Sequence, residues 1–102
     1  MEHNPKLNNE LFDYIIKIAN LGIEPSIKIK QGQLFVDLHT GAKSDCHLTI
    51  ENDKIIAKRR YGEEDIIESF EDILYSVRQC KCGRDYFDFR WSEALEKLGI
   101  KI

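Results

Sequence analysis

The chain has 102 residues, which is enough for one domain that buries a hydrophobic core of its own. Apolar residues make up 42% of the chain and charged residues 32%, a balance that argues against both a disordered tail and a membrane protein. Eighteen acidic residues against fifteen Lys and Arg give a net charge of -3, which argues against attachment to nucleic acid or lipid by bulk positive charge. We therefore predict a single domain over residues 1–102.

The sequence favours a location in the cytoplasm. Its beginning lacks a basic start followed by an uninterrupted apolar run, so no secretory signal is expected. No segment approaches the roughly 20 consecutive apolar residues that cross a bilayer. The odd number of cysteines, Cys46, Cys80 and Cys82, does not suggest a complete disulfide framework, and we expect free thiols in a reducing compartment.

The first predicted element is a helix from about residue 5 to residue 21. Asn4 can cap it, Pro5 suits the first helical position, and Gly22 can end it in a left-handed conformation. Apolar side chains recur at helical spacing and cover about half of its circumference, which indicates packing on a sheet. These residues are Leu7, Leu11, Ile15 and Ala19, with Phe12, Ile16 and Ile18 beside them.

Four segments with alternating apolar and polar residues follow, and we predict strands at residues 26–30, 34–39, 46–51 and 54–61. Short turns at residues 31–33 and 52–53 join them into an antiparallel meander. The alternation predicts one face toward the helices, with Ile27, Ile29, Leu34, Val36, Leu38, Leu48, Ile50, Ile55 and Ala57. The opposite face would carry Lys28, Lys30, Phe35, Asp37, His39, His47, Thr49, Ile56, Lys58 and Arg60.

Two more helices are predicted after the strands. The second spans about residues 63–79, with a buried stripe formed by Ile66, Ile67, Phe70, Ile73, Leu74 and Val77. The third begins near residue 88, ends at Gly99, and carries Trp91, Ala94, Leu95 and Leu98 on one side. The predicted fold is an α+β two-layer sandwich of order α-β-β-β-β-α-α, a four-stranded antiparallel meander with the helices on one face.

Cysteine and histidine residues offer only weak signs of a metal site or a thiol enzyme. Structural zinc sites commonly use two pairs of closely spaced ligands, whereas this chain has one such pair, Cys80 and Cys82. Cys46, His39 and His47 could complete a ligand set, but no spacing motif joins them. A glycine-rich nucleophile turn and a phosphate-binding loop are both missing from the sequence. We expect no cofactor, no metal and no catalytic residue.

Basic and apolar residues on the predicted sheet face opposite the helices allow a second interpretation, an interface for single-stranded nucleic acid. The residues that would form it are Lys28, Lys30, Phe35, Lys58 and Arg60. Sheet surfaces of this kind bind the backbone through cations and stack bases on aromatic rings. Such surfaces usually offer two or three rings, and here acidic Asp37 shares the face with Phe35. We keep this as the alternative function.

Acidic residues in the predicted second helix suggest a protein-binding surface instead. Six carboxylates lie within ten residues: Glu63, Glu64, Asp65, Glu68, Glu71 and Asp72. On a helix with a buried apolar stripe they would form a ridge complementary to a basic groove. An ordinary solvated helix face is the other interpretation. The aromatic residues Tyr86, Phe87, Phe89 and Trp91 follow, and some of them are expected to close the core while Tyr86 or Phe89 stays accessible as an anchor.

The segment Cys80-Lys81-Cys82-Gly83-Arg84-Asp85-Tyr86, followed by Trp91 and Leu95-x-x-Leu98-Gly99, resembles the ends of small accessory proteins encoded by bacteriophages. The resemblance covers about the last quarter of the chain and implies a compact binder that disables a host enzyme or defence complex, as anti-CRISPR proteins do. The predicted function is thus a non-enzymatic inhibitor that binds a host or defence-system protein. Its predicted binding residues are Glu64, Glu68, Glu71, Asp72, Tyr86, Phe89 and Arg90.

Overall fold

A computed structural model describes residues 5–41, 46–59, 62–80 and 88–100. Its elements are α1 (Pro5–Asn20), β1 (Ser26–Lys30), β2 (Gln33–Asp37), β3 (His47–Glu51), β4 (Lys54–Lys58), β5 (Glu64–Ile67), α2 (Phe70–Gln79) and α3 (Phe89–Lys97). The α+β class is confirmed. Within the described ranges, no helix combines the length and the apolarity needed to cross a membrane.

The sheet has five antiparallel strands in the order β1-β2-β3-β4-β5, so the predicted four-stranded meander was one strand short. The missing strand is β5, which pairs with β4 through Ile55↔Ile67 and Lys58↔Glu64. The prediction assigned these residues to the second helix because Ile66 and Ile67 also fit a helical stripe. Ile66 lies on the outer face of the sheet and is exposed, so its predicted burial was wrong.

Helix α2 begins seven residues later than predicted because Ser69 is its N-cap. The Ser69 hydroxyl accepts a hydrogen bond from the backbone N–H of Asp72, and the Asp72 carboxylate accepts one from the backbone N–H of Ser69. This reciprocal capping box satisfies two backbone donors that the start of a helix otherwise leaves free. The chain therefore enters the helix only after Ser69.

Two tight turns set the register of the sheet. Gln31 and Gly32 both have positive φ, 52° and 77°, as do Asn52 and Asp53, at 52° and 59°. Two successive positive φ values define the turn whose twist matches a two-residue β-hairpin. The turns close the pairs Lys30↔Gln33 and Glu51↔Lys54 and fix all pairings along β1–β2 and β3–β4.

The predicted division of the sheet into two faces is confirmed for β2, β3 and β4. Val36, Leu48 and Ala57 are paired across these strands on the inner face, and all three are fully buried. Together with residues of the three helices they form one core. Its members are Leu11, Ile15, Ile18, Ile23, Val36, Leu38, Cys46, Leu48, Ile55, Ala57, Ile67, Ile73, Leu74, Val77, Cys80, Trp91, Ala94 and Leu95.

Helix α3 is attached to the end of β2 by polar contacts. The indole Nε1–H of Trp91, which is fully buried, donates to the carbonyl oxygen of Leu38 at 2.7 Å. The backbone N–H of Asp88, the N-cap of α3, donates to the carbonyl oxygen of Thr40, also at 2.7 Å. These two bonds fix the start of α3 beside residues 38–40.

We predict that Trp91→Phe lowers the free energy of unfolding by about 2–4 kcal/mol. The smaller ring leaves a cavity, and the buried carbonyl of Leu38 loses its hydrogen-bond donor. Urea denaturation followed by circular dichroism measures the change. Phe89→Leu, at an exposed position of the same helix, is the control and should change the free energy by less than about 0.5 kcal/mol. Equal effects of the two substitutions would contradict this role of Trp91.

Candidate functional site

The inner face of β1 is not covered by the helices. Ile27 pairs with Val36 and Ile29 pairs with Leu34, so both isoleucines lie on the face that carries the core. Their side chains are nevertheless 46% and 71% exposed, whereas Val36 on the neighbouring strand is fully buried. The alternation thus predicted the correct face for Ile27 and Ile29 but not the absence of a helix above them.

Helix α1 adds two exposed apolar side chains. Tyr14 stacks on Phe70 of α2 at a centroid distance of 6.4 Å, and Lys17 lies 5.5 Å from the same ring. This side of α1 therefore faces α2, which packs on β5. By helical spacing Phe12 and Ile16 lie on the side of α1 away from Tyr14 and Lys17, and they are 43% and 57% exposed, contrary to the predicted stripe. We call Phe12, Ile16, Ile27 and Ile29 the β1 patch.

The backbone of β1 is open along one edge. Among the described strands, β1 pairs only with β2 and forms the end of the sheet. Hydrogen-bonded and non-hydrogen-bonded pairs alternate in an antiparallel ladder, and a two-residue turn closes on a hydrogen-bonded pair, here Lys30↔Gln33. Ile27 and Ile29 consequently occupy non-hydrogen-bonded pairs. Their N–H and C=O groups point away from β2, toward the open edge.

On the outer face, the residues predicted to bind nucleic acid are partly engaged within the protein. The ammonium group of Lys58 lies 2.5 Å from a carboxylate oxygen of Glu51 and 3.7 Å from one of Glu64. The hydrogen bond to Glu51 raises the pKa of Lys58. Lys30 lies 5.8 Å from the centroid of the Phe35 ring. Lys28 is opposite Phe35 on β1, and Arg60 lies outside the described residues.

The predicted acidic ridge does not form on one helix. Residues 64–67 belong to β5, and Glu64 faces Lys58 across the strand pair. Asp65 points inward, where it accepts hydrogen bonds from Arg59 Nε at 2.9 Å and from the Ser76 hydroxyl at 2.8 Å. Glu63 makes an ion pair with the same arginine at 2.7 Å. Half of the expected ridge therefore supports the junction between β4, β5 and α2.

Of the remaining acids, Asp72 is used by the capping box, and Glu68 and Glu71 are exposed. Tyr75, one helical turn after Glu71, is 57% exposed and was not among the predicted binding residues. Its spacing from Glu71, four residues along one helix face, was the available signal. A small acidic and aromatic surface thus remains on α2.

The predicted aromatic anchors are only partly described. Phe89 is 68% exposed at the start of α3. The guanidinium group of Arg90 lies 3.1 Å from a carboxylate oxygen of Asp88, and this hydrogen bond lowers the pKa of Asp88. Arg90 therefore contacts the N-cap of its own helix. Tyr86 lies outside the described residues.

A serine, a histidine and an aspartate meet at the end of β2, an arrangement that was not predicted from the sequence. His39 Nε2 and Ser26 Oγ share a hydrogen bond of 2.6 Å. His39 Nδ1 is 3.6 Å from Asp37 Oδ1, but that oxygen accepts the backbone N–H of His39 at 2.9 Å. His39 also has a positive φ of 53°. The contacts hold the chain in this conformation where it turns toward Thr40.

The two described cysteines lie in the core. Cys46 and Cys80 are buried free thiols, and a hydrogen bond between them, together with burial, raises the pKa of Cys46 well above its ordinary value. A raised pKa disfavours the reactive thiolate. Cys82 lies outside the described residues. Within the described ranges, no group of three or more His, Cys, Asp or Glu side chains could hold a metal ion.

Comparison of the chain with protein-family models, with curated proteins and with solved structures gives no match.

We predict that neighbouring acids on α2 differ in their effect on stability. Asp72→Ala should lower the free energy of unfolding by about 1 kcal/mol, because it removes the carboxylate that accepts the N-terminal N–H groups of Ser69 and Glu68. Glu71→Ala should change it by less than about 0.5 kcal/mol. Thermal or urea unfolding measures both. A larger loss from Glu71→Ala than from Asp72→Ala would contradict the capping role.

We predict that Ser26 does not react with a fluorophosphonate, a reagent for activated serines. The nearer oxygen of Asp37 is 3.6 Å from the imidazole and already accepts a backbone N–H, so no described hydrogen bond orients His39 as a base. Mass spectrometry after incubation reports labelling. Labelling of Ser26 that disappears in His39→Ala would indicate a hydrolase. It would contradict the view that Ser26, Asp37 and His39 only hold the chain conformation at the end of β2.

Proposed function

We propose that this chain is a non-enzymatic protein-binding module and that the β1 patch is its binding surface. The observation that carries the proposal is the exposure of Ile27 and Ile29 on the open edge strand of the sheet, together with that of Phe12 and Ile16 on α1. Single exposed apolar residues are common, but large side chains grouped on one side of a small domain are typical of interaction sites. Burying them against a partner would remove apolar surface from water.

The outer face of the sheet supports the alternative, single-stranded nucleic-acid binding, less well. Phe35 is the only Phe, Tyr or Trp among the described strand residues of that face, with the imidazole of His47 as the one other ring, and Lys30 already lies over Phe35. Lys58 is paired with two carboxylates, so binding a phosphate there would compete with Glu51 and Glu64. The β1 patch would also have no role in that function.

Within this proposal, the module acts by covering a surface of its partner, as an inhibitor of a host enzyme or defence complex would. We assign partner binding mainly to the β1 patch and not to the predicted acidic ridge. Asp65 accepts a hydrogen bond from Ser76, and Asp72 belongs to the capping box of α2, so both carboxylates are engaged within the protein. Glu68 and Glu71 are also exposed, but α2 packs on β5, at the opposite end of the sheet from β1, so they are not part of the β1 patch. Action in the cytoplasm is also part of the proposal, since a reducing compartment keeps Cys46 and Cys80 as thiols.

We predict that substitutions in the β1 patch abolish capture of a partner protein. A control variant with substitutions at equally exposed residues should still capture that protein. The first variant carries Ile16→Ser and Ile29→Ser, at residues that are 57% and 71% exposed. The control carries Tyr75→Ser and Phe89→Ser, at residues that are 57% and 68% exposed. Each variant and the parent chain are used to capture proteins from a host lysate, with quantitative mass spectrometry as the measurement.

A partner lost by the first variant and retained by the control supports the β1 patch. The reverse result would contradict it and favour the exposed aromatic side chains Tyr75 of α2 and Phe89 of α3. Because all four substituted side chains are exposed, we expect both variants to keep the circular dichroism spectrum of the parent chain.

A further inference from the structure

We propose that β1 binds an extended segment of the partner protein as a sixth strand of the sheet, and that this segment alternates apolar and acidic side chains. The inference rests on the proposed function, because the β1 patch forms one side of the strand-binding site. It adds the secondary structure and the chemical pattern of the partner segment, neither of which follows from apolar exposure alone.

The backbone of β1 supplies the first part of the argument. Ile27 and Ile29 direct their N–H and C=O groups to the open edge of the sheet. Four of the five β1 residues are exposed, and no described element lies against this edge. An added strand would pair with these donors and acceptors, which is the usual way in which a free sheet edge binds a peptide.

The inner face of β1 selects apolar side chains in the partner segment. An added strand continues the pleat, so every second side chain would lie on the inner face beside Ile27 and Ile29. Phe12 and Ile16 of α1 are further exposed apolar side chains. Apolar side chains at these positions of the added strand would pack beside Ile27 and Ile29 and remove apolar surface from water.

The outer face of β1 selects acidic side chains at the alternate positions. Lys28 and Lys30 lie there, and neither has a carboxylate within 4.0 Å among the described residues. Opposite charges on neighbouring strands attract, whereas like charges placed opposite each other destabilise the pair. A partner strand with Glu or Asp at these positions would neutralise both lysines, and one with Lys or Arg would be repelled.

A second copy of this chain fits the site poorly. Antiparallel pairing of β1 with β1 over all five residues would place Lys28 directly opposite Lys28. The other sheet edge, β5, carries Glu64 outward, but its inner side chains Asp65 and Ile67 are already engaged with the core and with Ser76 of α2. They cannot also cover Ile27 and Ile29. The charge pattern therefore points to a different protein.

The test uses two synthetic seven-residue peptides, one alternating valine and glutamate and one alternating valine and lysine. Each is titrated into the full chain labelled with ¹⁵N, and amide exchange with solvent is measured by NMR. We expect the glutamate peptide to bind and to slow amide exchange at Ile27 and Ile29. The lysine peptide should bind at least about tenfold more weakly. Lys28→Glu combined with Lys30→Glu should reverse this preference.

A second pair of variants tests the backbone contacts directly. Ile29→Pro removes an N–H that faces the open edge and leaves the ladder to β2 in place, a position where an edge strand tolerates proline. Ile29→Ala removes the same side chain beyond Cβ but keeps the N–H. We expect Ile29→Pro to weaken binding of the glutamate peptide at least about tenfold relative to Ile29→Ala. Both variants should keep the spectrum of the folded chain.

Three results would overturn strand addition at β1. They are no slowing of exchange at Ile27 and Ile29, equal binding of the two peptides, and concentration-dependent dimers that protect β1 without any peptide. If one of these occurs while partner capture still depends on Ile16 and Ile29, strand addition is wrong and the proposed function stands. If the variant with Ile16→Ser and Ile29→Ser retains every partner, the proposed function is wrong, regardless of the results of the peptide titrations.

Discussion

The layer of helices is narrower than the sheet beneath it, and this mismatch determines which surfaces the protein presents. Five strands at about 4.8 Å spacing span about 24 Å, whereas two helices packed side by side span about 20 Å. Helix α2 packs on β5 and α1 contacts β4, so the cover ends before β1. Helix α3 closes the region beside Leu38 through Trp91. Ile27 and Ile29 are left exposed on a face that is buried elsewhere.

Charged side chains that look like a binding surface in the sequence largely hold elements of this fold together. Asp65 joins β5 to Arg59 and to Ser76 of α2, and Asp72 and Asp88 cap the two C-terminal helices. These contacts satisfy polar groups that would otherwise be unpaired at strand junctions and helix ends. The cations Lys28 and Lys30 are different, because no described ion pair engages them. The edge of β1 thus combines open backbone, apolar side chains and uncompensated positive charge.

Local rules predicted much of the fold but only part of the candidate site. Period-two alternation located β1 to β4 and separated Val36 from Phe35, and Asn52-Asp53 marked a tight turn. Strand β5 was missed because two adjacent isoleucines fit either a strand or a helix, although Ser69 and Asp72 carried the capping signal. Alternation also assigns Ile29 to a face without telling whether a helix reaches that face. The meeting of Ser26, Asp37 and His39 depends on strand register and could not be seen in the sequence.

Amide hydrogen exchange in the free chain, followed residue by residue by NMR at low protein concentration, tests the central claim most directly. If β1 is an open, uncovered edge, Ile27 and Ile29 exchange quickly, while Lys28 and Lys30, whose N–H groups face β2, exchange slowly. Val36, in the covered part of the sheet, should also exchange slowly. Slow exchange at Ile27 and Ile29, equal to that at Lys28, would show that this edge is already covered and would contradict the account.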